Sequence, residues 1–223
     1  MIKSKRELAF FIQADRIMNG FPEKRSILTY MKEFFHPQRD ILRFLKLMRK
    51  CDYYANGSKN TLLFLFYKIK NSRTSQRLGF SIDYTSFGYG LVIPHYGTIV
   101  VGGPNKIGNF AVLHTCTCIA GGGKNIGDGL YLSTGSQIVG NVKIGDNVTV
   151  ATHSLVLSDC VANTLVAGSP SIVKAEDCQP WYRRDGELYF KRVETVKYLK
   201  LKYGIWIGLG FFKRHCNYCT SLV

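Results

Sequence analysis

A six-residue repeat runs through residues 93–161, which divide into the blocks IPHYGT IVVGGPNK IGNFAV LHTCTC IAGGGKN IGDGLY LSTGSQ IVGNVK IGDNVT VATHSL VLSDCV. Each of the eleven blocks begins with Ile, Leu or Val. Two blocks are lengthened, one around Pro104 and one by the glycine run at 121–123. The fifth position of most blocks holds a small or β-branched residue, and Leu130 is the exception.

This period predicts a parallel β-helix. Short strands that turn a corner every six residues point their first and fifth side chains into a narrow prism, which only aliphatic and small residues fill without voids. A period kept over so many blocks is typical of this fold. Three strands make one coil, so residues about 18 positions apart should stack. The best-defined coils are predicted to begin at Ile93, Leu113, Leu132 and Val150.

The flanks of the repeat have a different pattern. Apolar residues at helical spacing predict three or four helices in the first 75 residues, and the period of six stops after Pro170. The predicted fold class is therefore mainly β, with a helical N-terminal region over 1–80, a β-helix over 81–175 and a short basic, aromatic extension over 176–223.

Composition limits the partners and the compartment. Thirty Lys and Arg against fifteen Asp and Glu give a net charge of +15, and this field attracts phosphates, anionic glycans or an anionic membrane face. No pattern of a nucleic-acid-binding module is present, so no nucleic-acid partner is predicted. The seven cysteines suit reduced thiols. The opening MIKSKRELAF lacks an apolar signal core, and no apolar run approaches about 18 residues, which predicts a cytoplasmic protein.

The C-terminal stretch KYLKLKYGIWIGLGFFKR, residues 197–214, combines basic and aromatic residues. Packing against the repeat is the favoured interpretation. Peripheral membrane contact through this region remains an alternative, because basic and aromatic residues suit a membrane surface.

Three segments resemble a known family, namely PHYGTIVVGGPNKIGNF (94–110), AGGGK (120–124) and VAGSPSIVKA (166–175). They are similar to the serine acetyltransferase branch of the hexapeptide-repeat acyltransferases, and the resemblance covers residues 80–175. The segment FSIDYTSFGYGLVIPHYGTIVV (80–101) is similar to versions of this branch found in capsule and O-antigen gene sets. The resemblance implies a left-handed β-helix, a homotrimer with active sites between neighbouring chains, acetyl-CoA as co-substrate, and a histidine as general base.

Two histidines are the catalytic candidates. His95 occupies the family's histidine position, and an imidazole with a pKa near ~6.5 can accept a hydroxyl proton at neutral pH. Direct attack on the thioester then needs no covalent enzyme intermediate. His114 lies three blocks later, so stacking predicts that it shares a corner of the β-helix with His95. For each histidine the alternative is an ordinary surface residue at a corner.

Five residues are candidates for binding the cofactor. The resemblance aligns Thr134 and Thr152 with CoA-contacting positions, and stacking places both on the corner predicted for the histidines. Gly121 and Gly122 permit close backbone approach, so their N–H groups are candidates for facing the cofactor or the developing oxyanion. Lys174, in the VAGSPSIVKA segment, is the fifth.

The sequence departs from true serine acetyltransferases at two places. Pro94 replaces the family's aspartate, and the long loop with an Arg-His pair is missing because AGGGK runs almost directly into Asn125. Those family groups would hold the ammonium and carboxylate of serine. The predicted function is therefore acetyl-CoA-dependent O-acetylation of a sugar or polysaccharide hydroxyl. The alternatives are serine O-acetylation and a non-catalytic β-helix scaffold.

For the remaining candidates the sequence favours a structural interpretation over a functional one. Asp15 is expected on a solvated helix face, with a place in the acceptor pocket as its alternative. Cys116 and Cys118 are expected to fill the coils rather than to carry an acyl group. The segment HCNYC (215–219) resembles half a zinc site without a partner pair, so no metal is predicted.

Overall fold

The structure, a computed structural model, describes residues 1–23, 26–103 and 105–205. Its N-terminal part is helical, with α1 at Lys5–Met18, α2 at Ile27–Phe34, α3 at Arg39–Asp52 and α4 at Thr61–Leu78. A π-helical turn, Tyr53–Gly57, joins α3 to α4. The side chains of Ser4, Ser26 and Asn60 cap α1, α2 and α4 by accepting a hydrogen bond from a backbone amide of the first turn.

Short strands follow, and two helices close the described part of the chain. The strands are β1 Phe80–Ile82, β2 Ile99–Val101, β3 Lys106–Ile107, β4 Val112–Leu113, β5 Thr117–Ile119, β6 Asn125–Ile126, β7 Tyr131–Leu132, β8 Gln137–Ile138, β9 Thr149–Val150, β10 Leu155–Val156, β11 Leu165–Gly168 and β12 Ser171–Ala175. The final helices are α5, Trp181–Arg184, and α6, Glu187–Lys202.

The strands stack into three faces, and each coil contributes a strand or an isolated bridge to each face. The first face has the order β1-β2-β5-β8-β10, and the third face has the order β12-β11-β9-β7-β4. The second face contains β3 and β6 and is extended by bridges that link Phe87 to Ile107 and Ile126 to Ile144. Pairing is parallel except between β11 and β12. The predicted parallel β-helix is confirmed.

The interior of the β-helix contains the positions that the repeat predicts. The first residues of all eleven blocks are buried, namely Ile93, Ile99, Ile107, Leu113, Ile119, Ile126, Leu132, Ile138, Ile144, Val150 and Val156. The fifth positions Ala111, Thr117, Ser136, Val148 and Ser154 are buried as well. Stacked aliphatic side chains therefore fill the prism from one coil to the next.

The β-helix begins one coil before the visible repeat. Phe80 of β1 pairs with Ile99 of β2, although residues 80–92 lack regular aliphatic first positions. The helical layer explains this, because Phe80 packs edge-on against Phe44 of α3 with ring centroids 5.1 Å apart. Aromatic residues fill the contact between the layers where aliphatic ones fill the later coils.

A buried ion pair joins the helical layer to this first coil. Asp15 of α1 and Arg49 of α3 are 1% and 0% exposed, and Arg49 Nε donates to Asp15 Oδ2 at 2.8 Å. The same carboxylate accepts hydrogen bonds from the backbone amides of Gly90 and Leu91. The expectation of a solvated Asp15 is wrong, because helical spacing alone does not show which face a neighbouring layer covers. Its full burial also excludes Asp15 from a pocket.

The C-terminal helices lie along the coils and the first helix. Trp181 of α5 is buried and donates its indole N–H to the Phe110 carbonyl at 2.8 Å. Buried side chains of α6, among them Val193 and Val196, join a cluster that includes Phe10 of α1. Among the described residues, no helix has the length and apolar character needed to cross a bilayer. The second half of the basic, aromatic stretch 197–214, residues 206–214, and the HCNYC segment lie outside the described residues.

Candidate functional site

The histidine corner is the set of turns between the third face and the first, at residues 93–98, 113–116, 132–136 and 150–154. It contains His95, His114, Thr134 and Thr152, so the structure brings these four predicted site residues to one edge. Backbone hydrogen bonds connect the turns, including Gly135 N to Thr115 O at 3.0 Å and His153 N to Thr134 O at 3.0 Å. These bonds stack the turns directly, as the spacing predicted.

The glycine corner is the next set of turns, between the first face and the second, at residues 102, 103, 105 and 120–124. Gly121 and Gly122 lie there and are exposed. Strand β5 separates them from His114, a distance of about 10 Å along three extended residues. One chain therefore does not bring the glycines and the histidines together.

Lys174 lies at neither the histidine corner nor the glycine corner. It is exposed on β12, the antiparallel strand that returns along β11 beyond the last coil. The structure does not place it on the histidine corner.

The backbone on the N-terminal side of His95 is fixed by the helical layer. Asn19, just after α1, donates its side-chain amide to the Leu91 carbonyl at 2.8 Å and accepts from Ile93 N at 3.1 Å. Gln38, just before α3, donates to the Pro94 carbonyl at 2.8 Å. The His95 side chain itself is exposed, and no described residue hydrogen-bonds to it.

The His114 side chain is held in a different way. It is half-buried, and its Nε2 lies 2.9 Å from the Tyr131 Oη of the next coil. Burial lowers the pKa of His114, a positive charge on His95 lowers it further, and the Asp185 carboxylate opposes both effects. The imidazole of His114 is therefore biased toward its neutral form.

Residues of the C-terminal segment surround the Tyr131 phenol. The Arg184 guanidinium lies 4.9 Å from the ring centroid, and its Nη1 donates to Thr149 Oγ1 at 3.2 Å. Burial and the neighbouring Asp185 carboxylate raise the pKa of Tyr131. Sequence reasoning did not identify Tyr131, Arg184 or Asp185 as site residues. The only signal was the aromatic and basic composition of residues 181–189, which indicates contact with the repeat but not the side chains that make it.

The two cysteines near His114 are not core fillers. Cys116 is exposed at a turn with a left-handed φ of 60°, and Cys118 is half-buried at the outward position of β5. The expectation that both fill the coils is wrong, because strand alternation points the middle residue of β5 outward. Cys160, at a fifth position, is buried.

No group of three or more His, Cys, Asp or Glu side chains in the described ranges could hold a metal ion.

Comparison with known proteins finds serine acetyltransferases. Serine acetyltransferase 4 of Arabidopsis thaliana is 38% identical over 109 residues, 45% of this chain and 30% of that protein. A Staphylococcus epidermidis serine acetyltransferase is 32% identical over 124 residues, 49% of this chain and 56% of that protein. The chain thus spans about a third to about half the length of these curated relatives. No protein-family model matches the sequence.

Solved structures show the same fold. The Neisseria gonorrhoeae serine acetyltransferase matches with a TM-score of 0.59 at 21% identity, covering 82% of this chain and 72% of that one. The soybean apoenzyme matches with a TM-score of 0.56 at 19% identity, covering 78% and 84%. A serine acetyltransferase in complex with CoA matches with a TM-score of 0.53 at 19% identity, covering 73% and 67%. The chain has the β-helix fold of the hexapeptide-repeat acyltransferases.

Proposed function

We propose that the protein is an acetyl-CoA-dependent O-acetyltransferase. The observation that carries this proposal is the histidine corner, where His95 and His114 stand on the same edge as Thr134 and Thr152 in the fold of the serine acetyltransferases. One serine acetyltransferase of this fold is solved with CoA, which supports CoA binding along the coils. The net charge of +15 favours a co-substrate with several phosphates.

In this proposal His95 is the general base. Its exposed imidazole takes the proton of the acceptor hydroxyl, and the oxygen attacks the carbonyl carbon of the acetyl thioester. The C–S bond then breaks, the acetyl group stays on the oxygen, and the leaving thiolate receives a proton. Asn19 and Gln38 form hydrogen bonds with the backbone just before His95, and these bonds fix the position from which the imidazole side chain extends.

His114 serves as a second, neutral imidazole at the same edge. A phenol has one proton and a carboxylate only accepts, so a Tyr131 that turns its proton toward Asp185 must accept from His114 Nε2–H. Nδ1 of His114 is then the unprotonated nitrogen. The lowered pKa of His114 agrees with a neutral ring that orients the acceptor or shares the proton.

A homotrimer completes the site in this proposal. Because β5 separates the glycine corner from the histidine corner of the same chain, Gly121 and Gly122 can serve His95 only from a neighbouring protomer. Their backbone N–H groups would then face the acetyl carbonyl or CoA. Light scattering tests this point, and a monomer in solution would contradict it.

L-Serine is the first acceptor to test. The relatives and solved structures named above are serine acetyltransferases, which supports serine rather than a sugar. The capsule and O-antigen resemblance has no such support.

A sugar hydroxyl is the second candidate, and two observations favour it. Pro94 leaves no carboxylate beside His95, and Asp15 cannot replace that carboxylate because Arg49 and two backbone amides occupy it in the core. A zwitterion without charged partners is costly to desolvate. Loss of each charged contact lowers binding by about 2–5 kcal/mol.

Thiol release from acetyl-CoA separates these functions. L-serine, nucleotide sugars and oligosaccharides are offered in turn, and kcat/KM is compared. Saturable serine turnover well above that of every sugar supports the first candidate, and the reverse ranking supports the second. Absence of turnover, together with no thermal stabilisation by CoA, would leave a binding-dead scaffold.

A further inference from the structure

Helix α4 has an apolar stripe on its solvent side. Leu62, Leu65, Phe66 and Ile69 are 81%, 48%, 47% and 54% exposed. Their spacing of i, i+3, i+4 and i+7 puts them on one face of the helix. We call these four residues the α4 stripe.

The opposite face of α4 is the one that packs on the rest of the protein. In the first turns it does so through aromatic residues, since Phe64 contacts Tyr84 and Tyr67 stacks on Tyr54 with ring centroids 5.7 and 5.2 Å apart. Further along, the buried residues are Asn71, Thr74, Ser75 and Leu78. An amphipathic surface helix normally turns its apolar stripe toward the core. In its first two turns α4 therefore presents to solvent the kind of side chain that a helix normally buries, which marks the stripe as a contact surface.

The border of the α4 stripe is positively charged. Lys68 and Lys70 flank it, Arg73 extends it by one turn, and all three are exposed. Lys70 Nζ lies 4.2 Å from the Phe66 ring centroid. No acidic residue occurs between positions 53 and 82, and no described carboxylate pairs with these three cations.

This charge distribution distinguishes between possible occupants. A two-fold contact with a second copy would place the basic border of one α4 against the same border of the other, which is repulsive. An anionic lipid surface instead accepts apolar side chains at the level of its acyl chains and pairs the flanking cations with headgroup phosphates. We propose that the α4 stripe and its basic border dock the protein on an anionic membrane surface.

The docking is peripheral. The apolar stripe covers only two turns, so it can enter the boundary between headgroups and acyl chains but cannot span the bilayer. The proposed site consists of residues of α4, and it does not depend on the proposed acetyl transfer.

Co-sedimentation of the full-length protein with vesicles tests this proposal. Vesicles of phosphatidylcholine with phosphatidylglycerol are compared with vesicles of phosphatidylcholine alone. The variant Leu62→Ser/Phe66→Ser/Ile69→Ser should lower partitioning onto the anionic vesicles at least tenfold. The matched control Leu157→Ser/Val161→Ser, which changes exposed apolar residues of the coil wall, should leave partitioning unchanged.

A second variant tests the charged border without changing the apolar stripe. Lys68→Gln/Lys70→Gln/Arg73→Gln should reduce partitioning onto anionic vesicles by roughly 10², at about fivefold per cation, and should weaken its dependence on salt. Equal melting temperatures of variant and parent ensure that folding is intact. Two results overturn the proposal. One is unreduced anionic-vesicle binding in both variants, and the other is a smaller oligomer in the apolar variant with vesicle binding unchanged, which assigns the stripe to a second copy.

Discussion

The β-helix is attached to the rest of the chain at two places, and each attachment supports one of the two candidate histidines. At the N-terminal attachment, Asp15 and Arg49 form a buried charged pair beside the strand that leads to His95. At the C-terminal attachment, the Trp181 ring and its neighbours pack beside Tyr131, whose phenol contacts His114. The first attachment combines apolar packing, such as Phe44 on Phe80, with a buried charged pair and its hydrogen bonds, and the second depends mainly on aromatic packing.

The difference shows what each attachment controls. The N-terminal groups bond to backbone atoms at Phe87, Gly88, Gly90 and Leu91, so they fix the main chain and leave the His95 side chain free to meet substrate. The C-terminal groups reach a side chain and bias its protonation. Damage to the first attachment should therefore affect folding, whereas damage to the second should affect the chemistry of His114.

Asp15→Ala should have the largest effect. It leaves Arg49 charged and buried without its carboxylate, which costs about 3–5 kcal/mol of unfolding free energy. Denaturant unfolding measures it. The matched control is Arg77→Ala in the exposed pair with Asp40, which should cost less than about 1 kcal/mol. Similar losses of unfolding free energy in both variants would show that the buried pair stabilises the fold no more than an exposed pair does.

His95→Ala should lower kcat by roughly 10² or more with little change in CoA affinity, since general-base catalysis contributes on that scale. His114→Ala should cause a smaller loss, because His114 acts beside the base. Steady-state kinetics with the best acceptor and thermal shift with CoA measure the two effects. An inactive His114 variant beside an active His95 variant would reverse the two roles.

Trp181→Phe should weaken the C-terminal attachment by about 1–3 kcal/mol, because the Phe110 carbonyl loses its buried donor. If the C-terminal attachment supports His114, kcat should fall in this variant while the position of His95 changes little. The check is the double variant with His114→Ala, in which the loss of kcat caused by Trp181→Phe should largely disappear. Full additivity of the two losses would separate Trp181 from His114.

Asp185→Asn should have the smallest effect. The carboxylate raises the pKa of His114, so its removal lowers that pKa further. An NMR titration of the His114 ring should therefore give a lower pKa in the variant than in the parent. At a pH where His114 is neutral in both proteins, kcat/KM should be unchanged. A titration shifted to higher pH would contradict the assigned electrostatics.

The sequence predicted the coils well because their rule is local. Each block needs an aliphatic residue such as Ile119 first and a small one such as Ser136 fifth, and no distant contact is required to satisfy this. The β-helix was predicted from residue 81, but no six-residue blocks could be assigned before Ile93, because Phe80 and Phe87 replace the aliphatic residues where the helical layer packs. Asp15 was misplaced for the same reason, since its partners are 34 and more residues away.

Part of the candidate site was also predictable. Stacking of equal blocks placed His95 and His114 on one edge, and it aligned Thr134 with Thr152. The contacts of Tyr131 and Asp185 with His114 were not predictable, because no period relates the C-terminal segment to the coils. The glycines were predicted to face the cofactor or the developing oxyanion, and the sequence did not show that β5 places them one corner away from the histidines of the same chain.

The sequence by itself determined the β-helix, the order of its coils and the edge on which the histidines stand, because a period of six with an aliphatic first residue has one way to fill a narrow prism. Only the tertiary structure decided which polar side chains outside the repeat are buried and which apolar ones are exposed. The carboxylate of Asp15 is buried because Arg49 and two backbone amides compensate its charge, and the apolar stripe of α4 faces solvent because the opposite face of that helix packs on the protein. Both outcomes depend on contacts between segments far apart in the chain, and no local pattern of residues specifies them.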